Sequence, residues 1–463
     1  MMAQDLDGLR TLFVSGIDGD TRRYRCFHQQ GQLAMQGVDT GFLESDDPQL
    51  LVDVLNYDLF ILHRVPHTRL IAAVIDVARL RGKPVVYETD DLVFAPEFYD
   101  QIGLADTLSP GEARRFRRDL HLQAETFQRC DCVLTTTDFL AQEARHRGKP
   151  AYVNRNVPSE EMIEISEEAF AAQRRQEAGG EHQNDPLVVG YFSGTGSHNR
   201  DFRVITEPLI WMLETYPQTW LHIGGHLELD PALSPYQDRI RRAPYVDWRE
   251  LLHLIARVDV NLAPLEQDNP FCRAKSENKF VEAALVGVPT VASTVEAFEF
   301  AITDGEDGLL ASTPEEWKAA LKTLLDSPDG RREMGEAARR TAHARYTPEE
   351  RASGLVKTLQ SIVDRHGGPL PSAEHLLQQW AGRMAHYSLG VHQDALKWEA
   401  RADSLRQALD HYEDQLTQTV REKDRVIAHQ QELIEKIMQG RVMRLMTSTQ
   451  RWLRTLTRRP DES

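Results

Sequence analysis

Short apolar runs alternate with amphipathic segments through the first half of the chain. The runs are TLFVSG at 11–16, DLFILH at 58–63, KPVVY at 83–87, DCVLTT at 131–136 and the pair Tyr152-Val153. Between the second and third runs, apolar residues recur with helical spacing from Ile71 to Ala78, and Gly82 follows as a C-terminal stop. Strands that alternate with helices in this way predict βαβ units and a mostly parallel sheet.

The same alternation restarts in the second half. Apolar runs occupy 187–192, 220–225, 258–264 and 290–292, and a helix is predicted over 315–326. The stretch from Ile163 to Asp185 is rich in Glu, Gln and Gly, a composition typical of a linker. We therefore predict an α/β fold with two doubly wound, Rossmann-like domains at 1–170 and 185–365.

The pattern changes again near Pro369, and we predict a helical extension over 370–440. Within 396–437 apolar residues stand close to heptad spacing, at Leu405, Leu409, Tyr412, Leu416, Val426, Leu433 and Ile437. Polar residues weaken this seam at Thr419, Lys423 and Gln430. The pattern predicts a long helix or a coiled coil that joins copies of the chain or binds a partner protein. The alternative is a helix folded back onto the rest of the chain.

The last segment, 441–463, begins with RVMRLMTSTQRWLRTLTRR at 441–459, which holds six arginines and no carboxylate. Apolar residues lie between these arginines, among them Trp452. A basic amphipathic helix with Trp suits an anionic membrane surface, and the groove of a partner protein would accept the same pattern.

Composition narrows the class of protein. The chain has 463 residues and a formal net charge of -17, which argues against nucleic-acid binding, because that function needs a basic face. The four cysteines, at 26, 130, 132 and 272, form neither a zinc spacing nor a disulfide framework. We see no apolar signal core and no apolar run of about 20 residues. A cytoplasmic protein is expected, with possible attachment to the inner face of the membrane.

Polar groups that suit a ligand cluster around two segments of the second half. RAKSENKFVEAALVGVPTVAS at 273–293 predicts a helix that carries Lys279 and Glu282, ends at Gly287 and leads into a strand. Lys275 and Ser276 stand just before this helix or at its start. The loop SGTGSHNRDF at 193–202 follows a strand and offers backbone N–H groups to a phosphate. It matches neither G-x-G-x-x-G nor the P-loop.

Two groups of residues at strand ends are candidates in the first half. Gly16 in the first loop would let a backbone approach a ligand, although a simple βα turn explains it as well. The run from Glu88 to Asp91 places three carboxylates beyond a buried strand, where they would face a ligand or cap a helix. Metal binding by Asp90 and Asp91 is less favoured, because nothing nearby completes a ligand set.

Several motifs, taken in order, resemble the GT-B glycosyltransferases of the retaining "group 1" type. They are VVYETDDL, CVLTTTDFL, VNRNVP, YFSGTGSHNRDF, YVDWRELLHLIARVDVNLAPL, KSENKFVEAALVGVPTVAS and ITDGEDGLL, and they extend over roughly 10–360. The resemblance implies a nucleotide-sugar donor bound mainly by the second domain and an acceptor bound by the first. It implies transfer to a glycan, a lipid-linked or a protein acceptor, in surface-polysaccharide or glycoconjugate assembly.

The resemblance also implies roles for single residues. Glu282 matches the glutamate that binds the ribose hydroxyls, and Trp248 falls where the base is held. The loop with Gly194, Thr195 and Gly196 would line the diphosphate. Arg200 and Lys275 would counter the charge of the diphosphate, and they join Asp90 as catalytic candidates. Asp90 stands where many members of the family have a His facing the sugar.

The chain departs from the family at Ala274, eight positions before Glu282, where retaining members often carry a second Glu. Lys275 and Ser276 beside it suggest a subgroup that holds the donor differently. Lys279 is a further donor-binding candidate, with a solvent-facing lysine or a local pair with Glu282 as the alternative. No metal and no cofactor are expected. A non-catalytic scaffold acting through its coiled coil and a sugar-nucleotide epimerase remain the alternative functions.

Overall fold

Two six-stranded parallel sheets form the framework of the first of two units, Met1–Tyr387. The computed structural model describes residues 8–103, 108–178, 186–194 and 198–368, and single positions or short runs between 381 and 451, of which 418–432 is the longest. The strands are β1 Arg10–Ser15, β2 Asp39–Glu44, β3 Leu59–His63, β4 Val85–Thr89, β5 Cys132–Thr135, β6 Ala151–Val153, β7 Val188–Ser193, β8 Trp220–Gly225, β9 Ile240–Ala243, β10 Val260–Ala263, β11 Thr290–Ser293 and β12 Leu309–Ala311.

Helices connect these strands. They are α1 Asp20–Arg22, α2 His28–Met35, α3 Leu50–Asp53, α4 Arg69–Leu80, α5 Pro110–Arg129, α6 Asp138–His146, α7 Glu160–Ala178, α8 Asn199–Arg203, α9 Thr206–Thr215, α10 Trp248–Ile255, α11 Pro270–Arg273, α12 Asn278–Leu285, α13 Glu296–Ala301, α14 Pro314–Asp326, α15 Pro328–Arg345 and α16 Pro348–His366. A π-helical turn, Arg23–Phe27, joins α1 to α2, and 3₁₀ helices cover Pro96–Gln101 and Pro231–Arg239. The predicted α/β fold with a helical C-terminal region is confirmed.

The order of the strands determines which loops lie where a ligand can bind. The first sheet runs β2-β1-β3-β4-β5-β6 and the second β12-β11-β10-β7-β8-β9. The order of the strands therefore reverses between β1 and β3 in the first sheet, and between β7 and β10 in the second. In parallel α/β sheets, ligands bind beyond the carboxyl ends of the strands at such switch points.

Local sequence signals explain several helix boundaries. Thr68 caps α4 by accepting a hydrogen bond from the Ile71 backbone N–H at 3.2 Å. Gly82 follows this helix with φ +65°, as the predicted stop requires. Gly287 follows α12 with φ +72°, and a Cβ on it would lie 2.7 Å from the ring of Phe170. Glycine is therefore needed at position 287 both for the backbone conformation and for the close approach of α7.

Two helices differ from the sequence-based prediction. The stretch that we predicted as a linker from Ile163 is helical as far as Ala178, and α7 buries Met162 and Ala169 against second-domain residues such as Leu252. The predicted boundaries place α16 in the second domain. In the structure its apolar face packs against the first sheet, through Leu355, Leu359 and Ile362. These two helices therefore tie each half of the unit to the other.

Three edge strands, β2, β9 and β12, were absent from the prediction. The sequences of β2 and β9, DTGFLE and IRRA, carry charged residues and expose much of their surface, and β12 has only three residues. An edge strand lacks the continuous apolar run of a strand buried on both faces, so its hydrophobic signal is weak.

The second unit is Ser388–Ser463. Its described residues are helical over 418–432, where Val420, Val426 and Ile427 each expose about half of their side chains. The other predicted seam residues, from Leu405 to Ile437, lie outside the described residues, and so does Trp452 of the basic segment. Oligomerisation and membrane binding by this unit stay predictions. No helix in the described part of the chain is long and apolar enough to cross a membrane.

Candidate functional site

A cleft of about 250 Å³ lies between the carboxyl ends of the two sheets. It is smaller than the typical ligand pocket of ~300–1,000 Å³. Its walls carry charged and aromatic side chains from both domains, namely Asp20, Thr21, Arg23, Tyr24, Asp90, Asp91, His198, Tyr245, Trp248, Lys275, Ser276, Lys279 and Glu282. Several of the residues singled out from the sequence are therefore brought together at one place.

Glu282 lies on α12, in the wall formed by the second domain. The Tyr24 hydroxyl, from the first domain, donates a hydrogen bond of 2.9 Å to its Oε1. Among the described residues, only Tyr24 donates a hydrogen bond to Glu282, so Oε2 remains available to a ligand. Burial raises the pKa of Glu282, against the opposing effects of the Arg23 charge and the Tyr24 hydrogen bond.

Lys279 stands one turn before Glu282 on the same helix. Its Nζ donates to the carbonyl oxygen of Phe192 at the end of β7 and lies 4.8 Å from the centre of the Tyr191 ring. Burial lowers the pKa of this ammonium, although the nearby Glu282 carboxylate acts in the other direction. Lys279 does not face open solvent. It brings a cation to the loop that begins at Gly194.

An aromatic group closes one end of the cleft. The guanidinium of Arg23 lies 4.6 Å from the centre of the Trp248 ring and 4.6 Å from that of Tyr24. The Tyr245 hydroxyl donates to Asp20 at 3.2 Å. One short segment of the first domain, residues 20–24, therefore reaches the aromatic residues of the second domain. Arg249 lies over the Trp248 ring too, at 4.3 Å from its centre, so a flat base would have to displace a guanidinium group to stack on this ring.

Four charges meet at the opposite end of the cleft. The Nζ of Lys275 donates to Asp91 at 2.7 Å, and Arg64 donates to the other oxygen of Asp91 at 3.2 Å. Arg64 also lies 3.6 Å from Oδ1 of Asp90, too far for a hydrogen bond, and no other described residue donates to that buried oxygen. The alternative of helix capping by Asp90 or Asp91 is wrong, because no helix begins there.

The two aspartates differ in their pKa values. Burial and the neighbouring Asp91 charge raise the pKa of Asp90. Burial works against ionisation of Asp91 too, but Lys275 and Arg64 outweigh it and lower the pKa of Asp91. Asp90 lines the cleft, and its buried carboxylate oxygen without a donor is suited to accept a hydrogen bond from a ligand hydroxyl.

A buried charged network lies behind this wall of the first domain. Arg25, Glu88 and His63 are all fully buried. The guanidinium of Arg25 lies 2.5 Å from the carboxylate of Glu88, and the other oxygen of Glu88 is 2.6 Å from His63 Nδ1. Arg25 also donates to the side-chain oxygen of Asn156 at 2.9 Å. His63 is thus a buried core residue that is hydrogen-bonded to Glu88.

Gly16 and Arg200 are not where the sequence analysis placed them. A Cβ on Gly16 would lie 2.4 Å from the Arg64 carbonyl oxygen, so this glycine serves the close packing of two loops and does not line the cleft. Arg200 lines a separate depression with Gln101 and Glu266. Its guanidinium points to the Asp100 carbonyl oxygen at 3.5 Å, because α8 turns it away from the cleft.

The loop after β7 is described only in part. Gly194 and His198 line the cleft, whereas Thr195 and Gly196 lie outside the described residues. His198 Nδ1–H donates a hydrogen bond of 2.9 Å to the Asp201 carboxylate, and burial lowers the pKa of this imidazole. Asp201 is therefore bound by His198 and not by the neighbouring Arg200.

Three possible metal ligands, Asp201, Glu266 and Cys272, lie close together beside the cleft. The Cys272 thiol donates a hydrogen bond of 3.1 Å to Asp201, and burial raises the pKa of this thiol. A thiol must lose its proton to bind a metal ion. This group is therefore better explained as a hydrogen-bonded part of the core.

Residues 20–25 were the main omission of the sequence analysis. The turn Arg23–Phe27 is π-helical, a geometry that often occurs at functional sites. It directs Arg23 and Tyr24 into the cleft, and Arg25 into the buried network. The signal in the sequence was RRYR directly after the first βα loop, three arginines where a helix core needs none.

Comparisons with known proteins agree with this architecture. A family model described as "Glycosyl transferase-like" matches residues 203–357. A D-inositol 3-phosphate glycosyltransferase of Corynebacterium urealyticum is 37% identical over 278 residues, which are 55% of this chain and 62% of that protein. One from Segniliparus rotundus is 36% identical over 93 residues, 19% of this chain and 20% of that protein. The matches thus span less than two thirds of these relatives.

Solved structures support the fold. HepE from Anabaena, in complex with UDP-glucose, has a TM-score of 0.53 at 15% identity and covers 76% of this chain and 100% of that one. Sucrose-phosphate synthase from Thermosynechococcus elongatus has a TM-score of 0.52 at 16% identity, and the match covers 77% of this chain and 100% of that one. The chain therefore has the GT-B fold that the order of its motifs predicted, and part of its sequence is similar to glycosyltransferases.

Proposed function

We propose that this protein is a glycosyltransferase that moves a sugar from a nucleotide-sugar donor to an acceptor bound by the first domain. The observation that carries the proposal is the position of Glu282. Its free carboxylate oxygen belongs to a cleft whose walls also carry the aromatic ring of Trp248 and the cations Lys275 and Lys279. A carboxylate, a flat ring and cations in one cleft suit the ribose, the base and the diphosphate of a nucleotide sugar.

The donor would extend across the cleft. Its base would lie against Trp248 and its ribose hydroxyls would donate to Glu282. The diphosphate would face the backbone at Gly194 and the ammonium groups of Lys275 and Lys279. The sugar would then lie near Asp90, whose unsatisfied Oδ1 can accept a hydrogen bond from a sugar hydroxyl.

Cleavage of the bond between the sugar and the diphosphate leaves additional negative charge on the leaving group. Cations already fixed near that group stabilise the charge as it develops, and this assistance needs no metal ion. The walls of the cleft also limit access of water, which would otherwise hydrolyse the donor. Arg200 is left out of this step because it faces a different depression.

The acceptor is proposed at the level of class. The relatives from Corynebacterium and Segniliparus are named as transferases acting on D-inositol 3-phosphate. For this chain, a hydroxyl of a glycan, a lipid-linked or a protein acceptor is proposed, in the assembly of surface polysaccharides or glycoconjugates. The helical second unit would serve oligomerisation or a partner protein, and its basic end an anionic membrane surface.

The test is a binding screen with UDP, GDP, dTDP and CMP and their sugars, measured by thermal shift and then calorimetry. One nucleotide should raise the melting temperature, since a ligand at 100 times its Kd adds about 2.7 kcal/mol of stability. In Glu282→Ala its affinity should fall by about 10- to 100-fold, because charged hydrogen bonds contribute about 1.5–3 kcal/mol.

Glu333→Ala is the matched control, because Glu333 is an exposed helical glutamate on α15. Its affinity for the nucleotide should equal that of the unmodified protein. Equal affinity in Glu282→Ala would refute the assignment of this residue. Absence of binding to every nucleotide would favour a non-catalytic scaffold, and turnover of the donor without acceptor would favour an epimerase.

A further inference from the structure

Four consecutive residues of the second domain, 274–277, are each held by a different residue of the first domain. The backbone oxygen of Ala274 accepts from Thr137 at 3.5 Å, and Lys275 donates to Asp91 at 2.7 Å. Asn156 donates to Ser276 at 3.1 Å, and Arg155 donates to Glu277 at 3.3 Å. We call this segment, residues 274–277, the clasped loop.

Buried groups hold the clasped loop firmly. Arg155 and Glu277 expose 4% and 1% of their surface, and Glu277 also accepts from Tyr346 at 2.9 Å. Asn156 is itself fixed by Arg25 of the buried network. Separating a buried ion pair is strongly destabilising, because it leaves each charge buried without a partner. The loop therefore has little freedom while the two domains are in this arrangement.

The departure from the family at position 274 belongs to the same arrangement. Ala274 is fully buried within the apolar core of the first domain, where Phe271 also packs. A glutamate at this position would carry a carboxylate into that core, which is costly without a partner. The polar side chains that the loop offers to the cleft are instead those of Lys275 and Ser276.

Lys275 reaches the cleft in a defined direction. Its ammonium lies 2.7 Å from Asp91 and 4.5 Å from the centre of the Phe271 ring, and 21% of the side chain is exposed. Although burial opposes the charge, the Asp91 carboxylate raises the pKa of Lys275. A lysine has a long flexible stem, so a fixed carboxylate is an effective means of aiming its charge.

We propose that Asp91 is a positioning residue, which aims Lys275 across the domain boundary so that its cation faces the leaving phosphate only while the clasped loop is held. This proposal rests on the proposed function for the role of Lys275. The contact itself is independent of any nucleotide. Asp91 acts through Lys275, whereas Asp90 next to it has a buried oxygen that no described residue donates to.

The first experiment needs no nucleotide. The protein is labelled briefly with acetic anhydride, and modification of each lysine is measured by mass spectrometry. Lys275 should be protected in the unmodified protein, and its labelling should rise several-fold in Asp91→Asn relative to Lys279. Unchanged labelling of Lys275 in a folded Asp91→Asn would overturn the proposal.

The second experiment is a double-mutant cycle with the donor found in the screen. Asp91→Asn and Lys275→Met should each lower kcat by about tenfold or more, with the KM for the donor changed less than about threefold, because the interaction matters at the departing charge. The double variant should be about as slow as the slower single variant. The proposal would be contradicted if the two losses of kcat multiplied in the double variant, or if only the KM for the donor changed.

The matched control is the ion pair of Lys83 and Asp58, which has a similar N–O distance of 2.6 Å and lies outside the cleft. Asp58→Asn should leave both kcat and the labelling of Lys275 unchanged. If the unmodified protein consumes no nucleotide sugar, the proposed function fails. The labelling result would still decide whether Asp91 holds Lys275.

Discussion

The two walls of the cleft use charge in different ways. Behind the wall of the first domain, Arg25, Glu88 and His63 pair with one another in the buried core. In the wall of the second domain, Glu282 and Lys279 are satisfied only in part, by Tyr24 from the other domain and by a backbone carbonyl. The network behind the first wall is thus a fixed support, whereas Glu282 and Lys279 of the second wall, and Asp90 of the first, are groups that a ligand can still engage.

The largest expected effect comes from breaking the support. Arg25→Met removes the cation that faces Glu88, and it should lower the free energy of unfolding by about 3–5 kcal/mol, because it leaves a buried carboxylate uncompensated. Urea unfolding followed by circular dichroism measures this loss. The matched control, Arg79→Met, breaks a half-exposed pair with Asp131 and should cost less than about 1 kcal/mol. Equal losses in the two variants would remove the distinction between the walls.

Lys279→Met tests the second wall, where we expect a loss of ligand affinity without a loss of stability. It removes a buried ammonium whose pKa burial lowers, so stability should stay equal or rise. Affinity for the nucleoside diphosphate should fall by about 10- to 100-fold, since a hydrogen bond to a charged group contributes about 1.5–3 kcal/mol. Calorimetry with the nucleoside diphosphate and with the matching nucleoside separates the contribution of the diphosphate from that of the nucleoside. The nucleoside should bind to Lys279→Met with unchanged affinity.

Much of the second wall could be predicted from the sequence because its groups lie close together in the chain. Lys275, Lys279 and Glu282 fall on one turn and one helix, so a local pattern reveals them. The first wall could not be predicted in the same way. Arg25 and Glu88 are 63 residues apart, and Lys275 and Asp91 are 184 residues apart. Such pairs are set by the packing of the sheets, which no local periodicity encodes.

Other elements show the same limit. The buried strands and the stop at Gly82 carried strong local signals, and the structure agrees with them. The edge strand β9 carries Arg241 and Arg242, and α7 has the composition of a linker until its contacts with the second domain are known. Gly16 looked like a ligand loop because its sequence cannot reveal the neighbouring Arg64 carbonyl.

Tyr24 is one of the side chains that connect the two walls, and its hydroxyl offers a smaller test. Tyr24→Phe removes the hydrogen bond to Glu282 and should cost about 1 kcal/mol of stability, as expected for a single buried hydrogen bond. Thermal unfolding measures the loss. Tyr152→Phe, whose hydroxyl makes a longer contact of 3.4 Å with His366, should cost less. A Tyr24→Phe protein as stable as the parent would show that this link between the walls is weak.

Asp90 and Asp91 give the finest comparison, because adjacent carboxyl groups should respond to pH with opposite signs. The pKa of Asp90 is raised by burial, so its favourable contribution exists below the ordinary value of 3.8 and is lost as pH rises through the raised value. Asp90→Asn should therefore gain stability relative to the parent as pH rises from 3.8 through that raised value, and the difference should stay constant above it. Urea unfolding at a series of pH values from acid to neutral measures the difference.

For Asp91 the sign is reversed. Lys275 and Arg64 lower its pKa against the effect of burial, so its contribution exists above the ordinary value of 3.8 and is lost as pH falls through the lowered value. Asp91→Asn should be less stable than the parent at neutral pH, and the two should converge in acid. Parallel curves for the two variants would mean that both carboxylates have the same environment. Opposite slopes would instead show that two consecutive carboxylates have different roles. Asp90 would then belong to the part of the cleft that a ligand can engage, and Asp91 to the fixed support.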